Sequence, residues 1–409
     1  MKTIIIGGGI IGLSSAFYLQ AAGHNITIVD RTDMLDGCSY GNAGYICPSH
    51  FVPLAAPGIV WQGLKWMFNS KSPFYVKPSL NGALIKWGLQ FYKSATQSHV
   101  ERSAVPLRDI ALLSRELYEE WTKIPGLDFS YDPAGMLELF QHEASAHHAE
   151  HTIKAAKELG IEARLIDKAT LQQMEPDTEI NALGAVYFPG DAQLYPNQLM
   201  SSLIAYLKSK GVQFEGGREV TGFTRNGVIT SKGNLEADHI VVAAGVWSGE
   251  LAKLLDLNIP MVGGRGYSVT HENAPWKVRR SVILSEARVA VSPMNGNKIR
   301  FGGTMEITPV NTPPRMERVK GILESVKRYF PAYDIPLPTA DKVWYGYRPC
   351  SADGLPHIGT LKNYPNVTVA TGHSMLGISL GAATGKLVSE IISGDKPSMD
   401  ITPFRVDRF

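Results

Sequence analysis

The chain has 409 residues, 44% of them apolar and 19% charged, with a formal net charge of +2. That balance suits a globular enzyme of two or three domains and is too mild for a nucleic-acid binder. The three cysteines, Cys38, Cys47 and Cys350, form no CxxC and no even framework, which argues for a reducing compartment and against disulfide-reductase chemistry.

Ile4-Ile5-Ile6 reads as a strand. Gly7-Gly8-Gly9-Ile10-Ile11-Gly12 reads as a glycine turn entering a helix to about Ala22, and Asn25–Asp30 as a second strand. This strand–turn–helix–strand unit binds a dinucleotide. Gly7 permits the turn, Gly9 lets backbone approach a pyrophosphate, and Gly12 lets helix and strand pack. The helix N-terminus offers free N–H groups to phosphate. Asp30 suits a ribose diol, and its charge argues against a 2′-phosphate and so against NADP. FAD and NAD both stay open at this point. Lys2 before apolar residues imitates a signal peptide, but glycines interrupt the stretch and the pattern continues into a strand. No run of eighteen apolar residues is present, so no membrane span is expected.

Arg31 to Pro57 is a Gly-, Ser-, Asn- and Pro-rich loop, too long for an ordinary connection. Helices are expected at about Ile59–Asn69, Asn81–Ser94 and Val105–Lys123, a strand at Met136–Phe140, and an amphipathic helix from His142 to Gly160. Gly184–Phe188 reads as a strand, followed by a helix from near Pro196 to Lys210. Strands at Val212–Phe214 and Arg218–Phe223 lead to a hairpin near Asn226-Gly227. Ile240–Gly245 reads as a buried strand running into a turn, with a helix from Trp247. Pro260–Val269, Arg288–Pro293 and Lys298–Gly303 alternate like antiparallel strands. A helix at Arg315–Tyr329, strands at Val343–Arg348 and Val367–Ala370, and a helix from Met375 to Ser393 complete the chain.

The parallel-type pieces lie at the start, middle and end, with antiparallel pieces between them. The fold class is therefore α/β with α+β character. A discontinuous Rossmann-like nucleotide domain is expected from residues 1–125, 190–258 and 341–409. A substrate domain on a mostly antiparallel sheet is expected from 126–189 and 259–340.

Three segments can carry chemistry. In Trp344-Tyr345-Gly346-Tyr347-Arg348-Pro349, an arginine at a strand end can grip a planar carboxylate through two parallel N–H bonds; the competing reading is a structural ion pair. Thr371-Gly372-His373-Ser374-Met375-Leu376-Gly377-Ile378 leads into a helix whose positive end suits the anionic edge of a reduced flavin. Ser39-Tyr40-Gly41-Asn42-Ala43-Gly44 is small enough for backbone to approach a flat ring, and Asn42 offers amide bonds to it. There is no HExxH, GxSxG, P-loop or Cys/His metal spacing, so no metal is expected. A single GxGxxG implies one dinucleotide.

With those residues read, the chain resembles the D-amino acid oxidase (DAO) family of flavoproteins, most of all its bacterial D-amino acid dehydrogenases of the small-subunit type. The matches run in order along nearly the whole chain: Ser39 to Gly44 with Pro48, Ala55-Ala56-Pro57-Gly58, Leu64 to Phe68, Gly190 to Leu194, Arg265-Gly266-Tyr267-Ser268, Ile299 to Gly303, Arg348-Pro349 with Asp353-Gly354, and Gly372-His373. The resemblance implies FAD held by Gly7, Gly9, Ile10, Ile11, Gly12, Asp30, Arg31, Ser39, Asn42, Ala43 and Gly44. It implies Val220 beside the adenine, and Ala244, Gly245, Trp247, Gly346, Arg348 and Gly372 to Ile378 along the cofactor. Arg348 matches the carboxylate-binding arginine, and Tyr267 a strand residue facing the flavin. His50, Tyr347 and Arg288 are weaker candidates for shaping the pocket. Cys350 does not match the cysteine offset of relatives that attach flavin covalently, so non-covalent FAD is expected.

The implied reaction is hydride transfer from the Cα of a D-amino acid, cyclic ones such as D-proline or cis-4-hydroxy-D-proline included, to flavin N5. Electrons are expected to pass to a quinone or other carrier. The mix of Trp61, Trp66, Met67, Phe68, Phe74 and Tyr75 with Lys65, Lys71 and Lys77 can rest on a bilayer, and equally can be a core helix with a basic edge. The expected location is cytoplasmic, with peripheral contact at the inner membrane face as one reading. A glycine- or sarcosine-type oxidase producing peroxide is the main alternative. A flavin-dependent RNA-modifying enzyme and a nucleotide-binding non-enzyme are more remote.

Overall fold

The computed structural model describes residues 1–67, 69–77, 81–310 and 312–409. A six-stranded sheet runs in the order His357–Thr360, Val367–Thr371, His239–Val242, Lys2–Ile6, Asn25–Val29 and Gln213–Glu215. All neighbours are parallel except the His357–Thr360 edge. A parallel sheet must be covered on both faces, which is why Ile4-Ile5-Ile6 and Ile240-Val241-Val242 are apolar without alternation. On one face, Ile10–Ala21 and Gly377–Ser393 pack together and bury Leu13, Leu380 and Leu387 with Ile5 and Ile28. On the other, the meander Val220–Thr224, Gly227–Thr230 and Leu235–Glu236 sets Val220 and Val228 into a cluster with Ile4 and Ile6. Ser374–Ser393 is the only segment among the described residues long and apolar enough to cross a membrane, and most of it is buried inside the fold.

The second sheet has nine strands and is largely antiparallel. Its main path is Trp344–Ser351, Met261–His271, Ile299–Ile307, Val289–Pro293, Ser281–Leu284, Met136–Phe140, Gly184–Phe188 and Arg164–Asp167. The helix Met316–Tyr329 covers one face, packing Val319, Ile322 and Val326 against Tyr267, Val269, Val291 and Phe301. A two-stranded ribbon of Tyr45–Ile46 and Ala192–Gln193 links the layers; the Tyr45 hydroxyl donates to the carbonyls of Val282 (2.8 Å) and Val291 (3.0 Å).

Two strands cross the expected domain limits. Phe74–Val76 and Trp344–Ser351 fall in segments expected in the nucleotide layer, yet both pair in the nine-stranded sheet. Phe74 and Tyr75 are thus strand residues, with Arg315 stacked 4.3 Å over the Tyr75 ring, and are not part of an amphipathic surface helix. That helix is Ile59–Met67; Phe68, named in the same mix, lies outside the described residues. The helix expected from Val105 begins at Gln97, capped by the Thr96 hydroxyl on the His99 amide (3.2 Å), and runs through Pro106.

Candidate active site

The glycine turn has the steric form that a dinucleotide needs. Gly7 has φ +111°, and a Cβ there would lie 2.4 Å from the Ala243 carbonyl oxygen. A Cβ on Gly12 would lie 1.9 Å from the Gly7 oxygen, so helix and strand meet only through glycine. Gly9 is open instead: an added Cβ would meet nothing nearer than Ser39 Oγ at 3.7 Å. Ser39 Oγ accepts from the Ile10 amide (3.1 Å). Asp30 Oδ2 accepts from the Gly8 amide (2.8 Å), and Oδ1 accepts from the amide (2.8 Å) and hydroxyl (3.0 Å) of Thr32. That fixes the carboxylate at the strand end and leaves Oδ2 a free lone pair for a ribose hydroxyl. Arg31 stacks 3.7 Å above the Trp247 ring at the same edge. Gly245, at φ +57°, gives its carbonyl to the Thr371 hydroxyl (3.0 Å), while Ala244 and Ile11 pack with the neighbouring cores.

The loop at residues 38–42 packs against the inner face of the large sheet. On Trp344–Ser351, residues 344, 346, 348 and 350 share a face, and Arg348 pairs with Gly264. Its guanidinium crosses the neighbouring strand at Gly266, where a Cβ would lie 2.1 Å from Arg348 Nη2. Thr304, at φ +68°, is the extra residue of a bulge opposite Arg265–Tyr267, and its carbonyl accepts from Arg348 Nη1 at 2.5 Å. Strain of this kind persists where surrounding structure imposes it, often at functional sites.

Arg348 carries no carboxylate partner among the described residues, and burial lowers its affinity for its own proton. The buried Arg265 differs. It pairs with Glu306 at 2.6 Å and is roofed by the rings of Tyr267 and Tyr345. The buried Arg265 is committed to structure, while the partly buried Arg348 keeps most of its donors free for an anion.

The cofactor-facing segments converge on this arginine. Cys38 and Gly41 approach Gly346 and the Trp344 ring; a Cβ on Gly41 would lie 2.0 Å from that ring, and one on Gly346 3.2 Å from Cys38 Sγ. Asn42 Nδ2 donates to the Met375 carbonyl (3.3 Å), while its Oδ1 accepts from the Gly44 amide (2.8 Å), so Ala43 sits in a closed turn. Ser374, at φ +52°, donates to Cys350 Sγ (3.5 Å), and a bridge joins His373 to Cys350. His373 is buried beside Gly372. Its Nε2 meets the Thr384 hydroxyl (3.0 Å), and desolvation pulls its pKa to about 3, so it is a neutral packing residue. Leu376 and Gly377 lead into the buried helix at Ile378. Among the described residues, Trp344 Nε1 and His373 Nδ1 are buried without a protein partner, as are Tyr40 Oη and Ser351 Oγ. An open Gly9 at one end and unsatisfied polar atoms at the other fit an extended polar cofactor such as FAD.

Two expected pocket residues face away from Arg348. Tyr267 and Tyr347 point to the opposite side of the sheet from Arg348, because adjacent strand residues alternate. The Tyr267 hydroxyl donates to Glu306 (2.7 Å) and accepts from the Arg315 amide (3.0 Å); that of Tyr347 donates to the Val310 carbonyl. His50 belongs to a cluster with Cys47 and Asp191, in which the Ser49 hydroxyl donates to Asp191 (2.5 Å). Val220 is buried against Ile4 and Ile6. Sequence gave no site role to Arg300, Trp344 or Thr304, although Trp344 opens the Arg348 segment and Arg300 lies in the matched stretch Ile299 to Gly303.

A family model described as FAD dependent oxidoreductase (DAO) matches residues 2–391. The chain belongs to the DAO family of FAD-dependent oxidoreductases. It is 31% identical to the D-amino acid dehydrogenase of Granulibacter bethesdensis over 425 residues, covering 100% of both chains. It is also 31% identical to that of Helicobacter pylori over 397 residues, covering 95% of this chain and 94% of the relative. Among solved structures, glycine oxidase from Geobacillus kaustophilus shares the fold with a TM-score of 0.78 at 23% identity, covering 100% and 98%. L-proline dehydrogenase from P. horikoshii does so at 0.74 and 19%, covering 100% and 97%. These two likenesses speak to architecture alone.

Proposed function

We propose that this DAO-family enzyme dehydrogenates D-amino acids, and that Arg348 binds their carboxylate. The observation that carries the reading is a partly buried guanidinium without an acidic partner among the described residues, aimed across Gly266 toward the segments expected to hold FAD. The names of the full-length relatives supply the substrate class. The bound flavin would supply the acceptor for a hydride leaving Cα. The chain's own work is positional. Arg348 fixes the carboxylate, Gly266 and Gly346 leave room for the amino acid, and the strained Ser374 turn holds the Gly372–Ile378 segment against the Trp344–Ser351 strand. A substrate bound with a neutral amine needs no side-chain base, and the resulting imine hydrolyses in water to a 2-oxo acid. The same geometry accepts cyclic D-amino acids, whose imine stays in the ring. FAD is held without a covalent link in this reading, since Cys350 is buried between Met305 and Ser374.

The acceptor proposed is a quinone or another carrier rather than oxygen, and the surface proposed to meet the membrane is formed by two helices. Ile59–Met67 buries only Gly63 and exposes Trp61 and Leu64. Gly82–Ser94 buries only Trp87 and exposes Ile85, Leu89 and Tyr92. Lys65, Lys86 and Lys93 flank these apolar residues and suit an anionic bilayer. The activity is tested by anaerobic mixing with D- and L-amino acids while the flavin band near 450 nm is followed. D-amino acids bleach it in this account, and a protein bleached by none of them is not this enzyme.

A further inference from the structure

Arg300 lies on the same face of the large sheet as Arg348, and nothing above gives it a role. It pairs with Thr270, two alternations along the strand from Gly266. Only 5% of it is exposed. Nε donates to the Thr270 hydroxyl (3.0 Å), Nη1 to the carbonyls of Tyr40 (2.8 Å) and Asn42 (2.7 Å), and Nη2 to Asn197 Oδ1 (2.9 Å). One side chain therefore joins the sheet, the Ser39–Gly44 loop and the start of the Pro196–Ser209 helix. Every one of these acceptors is neutral. No carboxylate pairs with Arg300 among the described residues, and Glu272, the acid whose charge it feels, is paired with Lys298 at 2.6 Å.

We propose that Arg300 is a positioning residue that clamps the flavin-facing loop against the inner face of the substrate sheet and places an uncompensated positive charge on that side. An aliphatic or ammonium side chain cannot reproduce the clamp, because the loop carbonyls and Asn197 are reached together only by the guanidinium fork. The charge is separable from the clamp: lysine keeps it and methionine removes it. A positive charge beside the loop favours the flavin state that carries more negative charge.

The inference rests on the reading that Ser39–Gly44 faces the flavin. Three variants of the full chain separate the possibilities: Arg300→Met, Arg300→Lys and Asn42→Ala. Flavin affinity is measured by dialysis and fluorescence, and the electrostatics by the flavin midpoint potential and by the dissociation constant of sulfite, which adds to oxidised flavin as an anion. Arg300→Met is expected to weaken FAD and sulfite by about tenfold each and to lower the potential, whereas Arg300→Lys weakens FAD but keeps sulfite affinity within about threefold. If Arg300→Met fails to fold, Arg300→Lys with Asn197→Ala decides, and each should release FAD faster than the parent. Folded Arg300 variants with parental FAD affinity, potential and sulfite affinity overturn the proposal. If Asn42→Ala also leaves FAD binding untouched, the loop assignment itself fails; if Asn42→Ala loses FAD while the Arg300 variants do not, only the role of Arg300 fails.

Discussion

At the scale of single residues, Arg265 and Arg348 of the large sheet show why charge partners matter. Arg265 and Arg348 are carried by neighbouring strands, but only Arg265 has an acid beside it. Truncating Arg265 would strand Glu306 without its closest cation and cost stability, whereas truncating Arg348 leaves no buried anion behind. Arg348→Ala is therefore expected to fold, retain FAD and lose carboxylate affinity by about 100-fold, the worth of two charge-assisted hydrogen bonds. Spectral titration with a D-amino acid or a carboxylate inhibitor checks this, and unchanged affinity would remove Arg348 from the site. Sequence made Arg348 visible because an arginine fixed by a following proline suits a planar anion, although the strand does not end there and runs on to Ser351. It misdirected the reading of Tyr267 and Tyr347, which are rich in chemistry but sit one residue out of phase with Gly266 and Arg348. Pairing partners, unlike residue types, are not written in a linear pattern, and Glu306 lies 41 residues from Arg265.

At the scale of elements, glycines in the Met261–His271 strand open the space that the guanidinium uses. Gly266→Ala places a methyl 2.1 Å from Arg348 Nη2, so the side chain must swing away while the strand itself stays intact. The expected result is normal thermal stability and FAD content with kcat/KM lowered about tenfold or more. A parental kcat/KM would show that Arg348 does not act from across Gly266. The long strands and helices were legible because their apolar spacing is strong; the Gly184–Phe188 and Val367–Thr371 strands appear close to where the alternation and apolar runs put them. The short pieces were not. Tyr45–Ile46, Ala192–Gln193 and Phe74–Val76 exist because distant partners supply their hydrogen bonds, and two or three residues hold no period of their own. The Trp344–Ser351 strand was expected, but in the other layer, because its partner Met261–His271 lies some 80 residues earlier in sequence.

At the scale of the whole molecule, buried titratable groups give stability a definite pH dependence. Burial lowers the pKa of His239 to about 4, His373 to about 3, and His357 well below the usual 6.5. Each contributes stability that is present above 6.5 and is lost as pH falls through its folded value. Asp191 works oppositely: burial raises it to about 7, so its contribution is present below about 4 and is lost as pH rises through 7. Between pH 4.5 and 6 the unfolded chain binds three more protons at these histidines and one fewer at Asp191, so Tm should rise with pH across that window. Asp191→Asn should gain on the parent progressively as pH rises toward 7; a gain that shrinks instead would refute the assignment. The apolar face of the two outer helices makes a second prediction at this scale. Trp61→Ser with Leu89→Ser should lower co-flotation with anionic vesicles several-fold while leaving activity with a soluble dye unchanged. No flotation by the parent protein would remove the membrane contact.

The central claim is that a bound flavin faces a guanidinium free to take a D-amino acid carboxylate. Its most direct measurement is an anaerobic titration of the purified yellow protein, parent beside Arg348→Ala, with matched D- and L-amino acids, proline included. Bleaching of the parent by D-enantiomers, with the variant still yellow but needing far higher concentrations, is the result expected. A colourless protein that cannot be reconstituted with FAD, or equal bleaching of parent and variant, would contradict it.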